Sequence, residues 1–151
     1  MSRRVVVLNG PNLDRLGSRE PHLYGDGTWE DLVALCTATG RELDLDVTVS
    51  QYDGEGELVA AVHAAAAGAD GIVLNPAAYT HTSVALRDAL LAADVPVVEV
   101  HLTQPAAREP FRRRNLVGDV VAATVSGFGL YGYALALDGL ARLLVAKGTG
   151  G

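Results

Sequence analysis

Five short runs rich in β-branched and apolar residues recur along the chain, at residues 4–9, 45–51, 71–75, 96–101 and 119–126, and helical patterning lies between most of them. The first, built around Val5-Val6-Val7, is apolar at successive positions instead of alternating, as a strand must be when its sheet is covered on both faces. Such strands, separated by helix-forming stretches, predict an α/β fold with a parallel sheet and right-handed crossovers. A helix is expected from Thr28, with Asp31 at the capping-box position and Trp29, Leu32, Val33, Leu35 and Cys36 as its inward stripe, ending at Gly40. Further helices are expected over 54–68, from residues 80–82 onward, and over 130–147. No linker, repeat or low-complexity segment interrupts the pattern, so the 151 residues are read as one domain, 1–151, with a fraying tail at 148–151.

A formal net charge of −6 and a pI near 5.1 argue against nucleic acid or an anionic membrane surface as the main partner, and leave a small molecule as the default. The single cysteine, Cys36, has apolar neighbours and no nearby cation, which places it in the core. The N-terminal MSRR precedes too few apolar residues for a signal sequence, and no apolar run approaches a membrane span, so a cytoplasmic location is expected. Metal-ligand spacing is absent, and neither metal nor cofactor is expected. Residues 127–132 match G-x-G-x-x-G between a strand and a helix, but no strand and no acidic residue follow at the distance a dinucleotide site needs. A tight turn is the better reading.

The polar residues cluster where chemistry is expected. In open α/β sheets ligands bind beyond the carboxyl ends of the strands. Here those ends carry Asn9, Asn75 followed by His81, and Glu99 with His101. Glu99 and His101 are two apart on a strand, so they share a face where the carboxylate can set the imidazole tautomer. His81 lies beside an expected helix start, whose N–H groups favour anionic or hydroxyl-rich ligands. His63, amid alanines, is read as structural or exposed. Arg108 and Arg112 are four apart and are expected to share one face of a helical turn, with Arg112 favoured as the binding group. The stretch 8–25 carries Gly10, Gly17 and Gly25, Pro11 and Pro21, and also Asn12, Arg15, Arg19 and Tyr24; it reads as a lid over residues 10–26. Lowering a tyrosine pKa by two to three units needs about 3–4 kcal/mol, which one guanidinium at ~4 Å supplies at an effective dielectric near 20. Arg19 beside Tyr24 would therefore make a base.

With those residues in view, the chain resembles the type II 3-dehydroquinate dehydratases from about Val5 to Ala141. The resemblance rests on LNGPNL at 8–13, REP at 19–21, LYG at 23–25, GEL at 56–58, NPAAYTHTS at 75–83, EVH at 99–101 and REPFR at 108–112, all in order. It implies a flavodoxin-like three-layer fold with a five-stranded parallel sheet in the order 2-1-3-4-5, and a homo-oligomer, a dodecamer built from trimers. It also implies an anti elimination that converts 3-dehydroquinate to 3-dehydroshikimate through an enolate. By the resemblance, Tyr24 is the base at C2 and Arg19 depresses its pKa. Asn12 holds the water that stabilises the enolate, and His101, oriented by Glu99, protonates the departing C1 hydroxyl. Asn75 and the backbone at Leu102 and Thr103 take the carboxylate, His81 and Arg112 hold ring hydroxyls, and Asp88 reaches a neighbouring subunit's site.

The chain departs from the family's usual pattern at Tyr52-Asp53, at Thr103-Gln104-Pro105, at Asn115-Leu116 where serine-tyrosine is usual, and at Tyr131. Two alternatives follow: a paralogue that performs a related elimination on another cyclic polyol ketone, and a non-catalytic flavodoxin-like binding protein. The second gives no reason for a poised base and acid.

Overall fold

The computed structural model describes residues 2–17 and 27–149, with side chains described to residue 147. In chain order it contains β1 (Arg3–Asn9), α1 (Trp29–Glu42), β2 (Leu45–Gln51), α2 (Glu55–Gly68), β3 (Gly71–Asn75), α3 (Val84–Leu91), β4 (Val97–His101), β5 (Ala123–Ser126) and α4 (Tyr131–Thr149). Short 3-10 turns occupy Leu13–Arg15, Ala77–His81, Pro105–Ala107 and Pro110–Arg113. The strands form one parallel sheet in the order β2-β1-β3-β4-β5, the flavodoxin-like arrangement that the resemblance implied.

The sheet divides the apolar interior in two. Val5, Val7, Val73, Val98 and Val100 point toward α1 and α4, where Leu32, Cys36, Leu137 and Leu140 meet them. Leu8, Ile72, Leu74 and Val97 point the other way, onto Leu58 and Val62 of α2 and Leu86 and Leu90 of α3. Both faces are therefore apolar, which accounts for the unalternating strand sequences. Cys36 is fully buried, and burial pushes its thiol up to about 12. It is a core residue without thiolate character.

Thr28 caps α1 as expected. Its hydroxyl accepts from the Asp31 N–H, and the Asp31 carboxylate accepts from the Thr28 N–H. The helix does not stop at Gly40, however, but runs on to Glu42. Gly40 is a contact point: a Cβ there would lie 2.6 Å from Val47 Cγ2 and 3.2 Å from the Leu45 carbonyl. The third helix also differs from expectation, since residues 77–81 form a 3-10 turn and α3 starts at Val84 under a Ser83 cap. The fifth strand covers only residues 123–126 of the expected 119–126, because Asp119 is drawn into an ion pair with Arg87 and Val120 closes a turn on Val117. Gly127 (φ 89°) and Gly129 (φ 59°) form the expected tight turn from β5 into α4. His63 is exposed on α2. No helix among the described residues is long and apolar enough to cross a membrane.

Two glycine substitutions should separate close packing from backbone freedom. Gly40→Ala must displace Val47 and should lose about 1–3 kcal/mol. Gly139→Ala, within α4 and with open space at its Cβ, should gain about 0.5–1 kcal/mol. Urea unfolding of the two variants beside wild type checks both signs.

Candidate active site

All five strands run parallel, so their carboxyl ends lie on one rim. Asn9 and Asn75 stand in register at the ends of β1 and β3, and both are buried. Between them sits the hydroxyl of Tyr133, the third residue of α4. It donates to Asn9 Oδ1 at 2.6 Å and accepts from Asn75 Nδ2 at 2.8 Å. Asn9 Nδ2 donates to the Ser50 carbonyl and Asn75 Oδ1 accepts from the Ala77 N–H, so each amide is oriented by two partners. Gly10 follows directly and needs to be glycine, since a Cβ would fall 2.4 Å from the Pro76 carbonyl oxygen. Beyond that contact Ala77 adopts a left-handed backbone at φ 55°. Asn9 is thus a structural group of the rim, whereas Asn75 also lines the cleft above it.

Glu99 and His101 share a face of β4, and Glu99 is completely buried. His101 Nε2 lies 2.5 Å from Glu99 Oε2. Facing a carboxylate, Nε2 carries the proton, which leaves Nδ1 as the other working nitrogen. Burial drives the Glu99 carboxyl upward, but the hydrogen bond and charge of His101, with further donors from Thr124 and Asn115, outweigh it and hold the group below its usual 4.5. Glu99 is therefore an anion in the fold at neutral pH.

The cleft beyond β1, β3 and β4 has a volume of about 230 Å³ and is lined by His101, Leu102 and Thr103 together with Asn12, Asn75, His81, Arg108 and Arg112. Eight of the residues singled out from the sequence thus meet at one place, with Glu99 behind His101. Asn12 sits in a left-handed conformation (φ 70°), and its N–H donates to Asp53 Oδ1 at 3.1 Å. Asp53 also accepts from Gln51 Nε2 at 2.7 Å, and these bonds, that of Asn12 first, lower its carboxyl below the usual value. Leu13 and Leu16 are buried in the core, so the first part of the expected lid is docked. A Cβ on Gly17 would lie 3.0 Å from Thr28 Cγ2; residues 17 and 28, on either side of segment 18–26, are neighbours. Arg19 and Tyr24 fall in that segment and lie outside the described residues.

Two expectations are corrected here. His81 closes a 3-10 turn and does not open a helix, and its Nδ1 donates to the Arg114 carbonyl at 2.7 Å. The bare Nε2 is then an acceptor. Arg108 and Arg112 share no helical turn, because Pro110 begins a new one and Arg108 and Glu109 are both extended. Glu109 joins them instead: its Oε2 accepts from Arg112 Nε at 2.8 Å and its Oε1 lies 3.8 Å from Arg108 Nε. Asp88 is exposed on α3 and is not part of this cleft.

Residues 3–141 match the family model for class II dehydroquinases. The chain belongs to the class II dehydroquinase family. The 3-dehydroquinate dehydratase of Salinispora arenicola is 53% identical over 91% of this chain and 96% of its own. The catabolic 3-dehydroquinase of Verticillium alfalfae is 44% identical over 97% and 98%. The crystal structure of type II dehydroquinase from Propionibacterium acnes is similar with a TM-score of 0.90 and 48% identity, over 94% of this chain and 98% of that one.

In this class II dehydroquinase further residues shape the rim. Tyr133, Asn115, Thr124, Asp53 and Glu109 all orient groups that line or underlie the cleft, and of these the sequence marks Asp53 and Asn115 only as departures from the family pattern. Glu109 was visible in the Arg-Glu-Pro-Phe-Arg motif, flanked by the two arginines it serves. Tyr133 had no local signal, being an aromatic in an apolar helix. Tyr133→Phe should leave Asn9 and Asn75 with unpaired buried groups and destabilise the fold by about 1–3 kcal/mol. Thermal unfolding should then shift down by several degrees, and an unchanged midpoint would mean that the hydroxyl does not hold the rim.

Proposed function

We propose that this chain is a type II 3-dehydroquinate dehydratase, a hydro-lyase that removes water from 3-dehydroquinate to give 3-dehydroshikimate. The observation that carries the mechanism is the His101–Glu99 couple, an imidazole backed by a fully buried carboxylate at the edge of a cleft that also holds Asn12, Asn75, His81 and Arg112. The ketone beside C2 acidifies the proton to be removed, so the reaction needs a base, an oxyanion donor and an acid, and no cofactor.

In this reading Tyr24, its pKa lowered by Arg19, takes the proton from C2, and the electron pair moves onto the ketone oxygen as an enolate. A water on Asn12 donates to that oxygen. The enolate then collapses, the C1–O bond breaks, and the hydroxyl leaves as water with the proton from His101. The anti course follows from a base on the lid side and an acid on the β4 side. Asn75, with the backbone at Leu102 and Thr103, takes the carboxylate. His81 accepts from a ring hydroxyl through Nε2, the nitrogen that its bond to Arg114 leaves bare, and Arg112 donates to another. The neighbouring positions of residues 17 and 28 support a lid over the intervening segment, whose closure brings Tyr24 to the rim.

The same reading makes the enzyme a cytoplasmic dodecamer of trimers. Asp88 projects from the outer side of α3, and exposed Val84 and Leu91, seven apart on that helix, give it an apolar stripe suited to another copy. Asp88 then serves a neighbour's cleft.

Purified protein given 3-dehydroquinate should raise the ultraviolet absorbance of the conjugated product. Tyr24→Phe and His101→Ala should each lower kcat by at least about 100-fold while the fold is retained. Absence of turnover by well-folded wild type would refute the reading. Size-exclusion chromatography with light scattering should give twelve times the 15.7 kDa subunit mass. A monomer would remove Asp88 from the site.

A further inference from the structure

The Glu99 carboxylate has more donors than the imidazole alone provides. Oε2 accepts from His101 Nε2 at 2.5 Å and from Asn115 Nδ2 at 3.0 Å, and Oε1 accepts from Thr124 Oγ1 at 3.0 Å. Thr124 stands opposite Glu99 in the β4–β5 register, so both side chains leave the sheet on one face. The orientation of the Asn115 amide is decided by its own loop. Its Oδ1 accepts from the Val117 and Gly118 N–H groups, both at 2.8 Å, and the NH2 end is left to face Glu99. That loop is tied at three further points: Arg114 O to His81 Nδ1, Leu116 N–H to Thr80 O, and Leu116 O to Arg87.

We propose that Asn115 and Thr124 are positioning residues that keep the buried Glu99 carboxylate charged and aimed at His101 Nε2, so that the imidazolium is sustained and its Nδ1 proton is the one delivered to the leaving hydroxyl. The inference rests on the acid role given to His101 above. A buried carboxylate oxygen without a donor favours its protonated form. Without Thr124, Oε1 is such an oxygen, and the proton shared with His101 moves toward Glu99. Among the described residues the surrounding charges do not substitute for these donors. His101 is the charged group that Glu99 contacts; on the same side of the sheet Arg87 is closed on Asp119 at 2.6 Å and Asp88 is exposed. His81, Arg108 and Arg112 stand in the cleft, the two arginines against Glu109, and on the opposite face Tyr133 is held neutral by burial.

The test uses Thr124→Val, which keeps the shape and removes the hydroxyl, Thr124→Ser, which restores it, and Asn115→Asp, which keeps the acceptor for Val117 and Gly118 but turns an oxygen toward Glu99. For each, kcat and KM for 3-dehydroquinate are measured from pH 5 to pH 10, and the Nε2 proton resonance of His101 is recorded by NMR on the unliganded enzyme. Thr124→Val should move the limbs of the kcat profile that belong to the Glu99–His101 pair upward, by about one pH unit summed over the two, the size of one charge-assisted hydrogen bond. Asn115→Asp should move them further, and Thr124→Ser should restore the wild-type profile. KM should be unchanged, and the Nε2 resonance should move with the limbs. A Thr124→Val enzyme with the wild-type profile and resonance overturns the inference, even where its thermal stability falls. The resonance is read without turnover, so failure of the acid assignment for His101 and failure of this positioning role give different results.

Discussion

The hydroxyl of Tyr133 is the point on which the rim depends. Two carboxamides end adjacent parallel strands in a region without solvent, and each needs partners for its donors and acceptor. One phenol donates to the first and accepts from the second, and so joins β1, β3 and the start of α4. Tyr133 lies 58 residues from Asn75 and 124 from Asn9, which means that the floor of the cleft forms only once the last helix has packed on the sheet. Burial raises the Tyr133 phenol well above the ordinary range, so it stays a neutral donor. The chain thus uses tyrosine in two opposite ways, neutral here and as the proposed base at Tyr24.

The second constraint is the burial of Glu99. A charged carboxylate within a strand costs several kcal/mol unless its oxygens are met by donors. Here donors come from the same strand, from the neighbouring strand and from the loop between them. A parallel register is what allows this, because residues two apart on β4 and the opposite residue on β5 all project from one face. The same loop presents its Arg114 carbonyl to His81 and so sets that ring's tautomer. The two histidines of the cleft are therefore oriented by one short segment, residues 114–118, although they belong to different strand ends.

What could be read in advance follows a physical division. Strands buried on both faces advertise themselves by unbroken apolar runs, and the Thr28–Asp31 capping box is written within four residues. The strand-end rule then places Asn75, Glu99 and His101 on one rim from the sequence alone. Features that arise from close approach between distant segments left no such trace. Gly40 resembles a helix terminator in sequence, but its role is to let α1 touch Val47. Residues 119–122 have strand composition, but Asp119 turns away to Arg87. His81 has the neighbours of a helix-start residue, and the 3-10 turn that ends on it depends on the left-handed backbone at Ala77, which the contact with Gly10 accompanies. Tyr133 is invisible in the same way, because its partners are two amides 58 and 124 residues earlier in the chain.

The electrostatics of the cleft illustrate why net charge is a poor guide to a site. The chain carries a formal charge of −6, yet the cleft draws together the guanidinium groups of Arg108 and Arg112. Charges beyond about 8 Å are largely screened at physiological ionic strength, so a substrate anion in the cleft responds to these groups more than to the acidic surface. Glu109 refines the arrangement. It engages Arg112 through Nε, a bond that does not use the two terminal nitrogens of the guanidinium, and Arg112 lines the cleft. An arginine fixed in this way has already lost much of its side-chain freedom, and in the proposed reaction it meets a ring hydroxyl without a further ordering cost of about 0.5–1.5 kcal/mol. In the proposed reaction the acidic residue between the arginines therefore aids recognition of an anionic, hydroxyl-rich ligand by organising the cations that receive it.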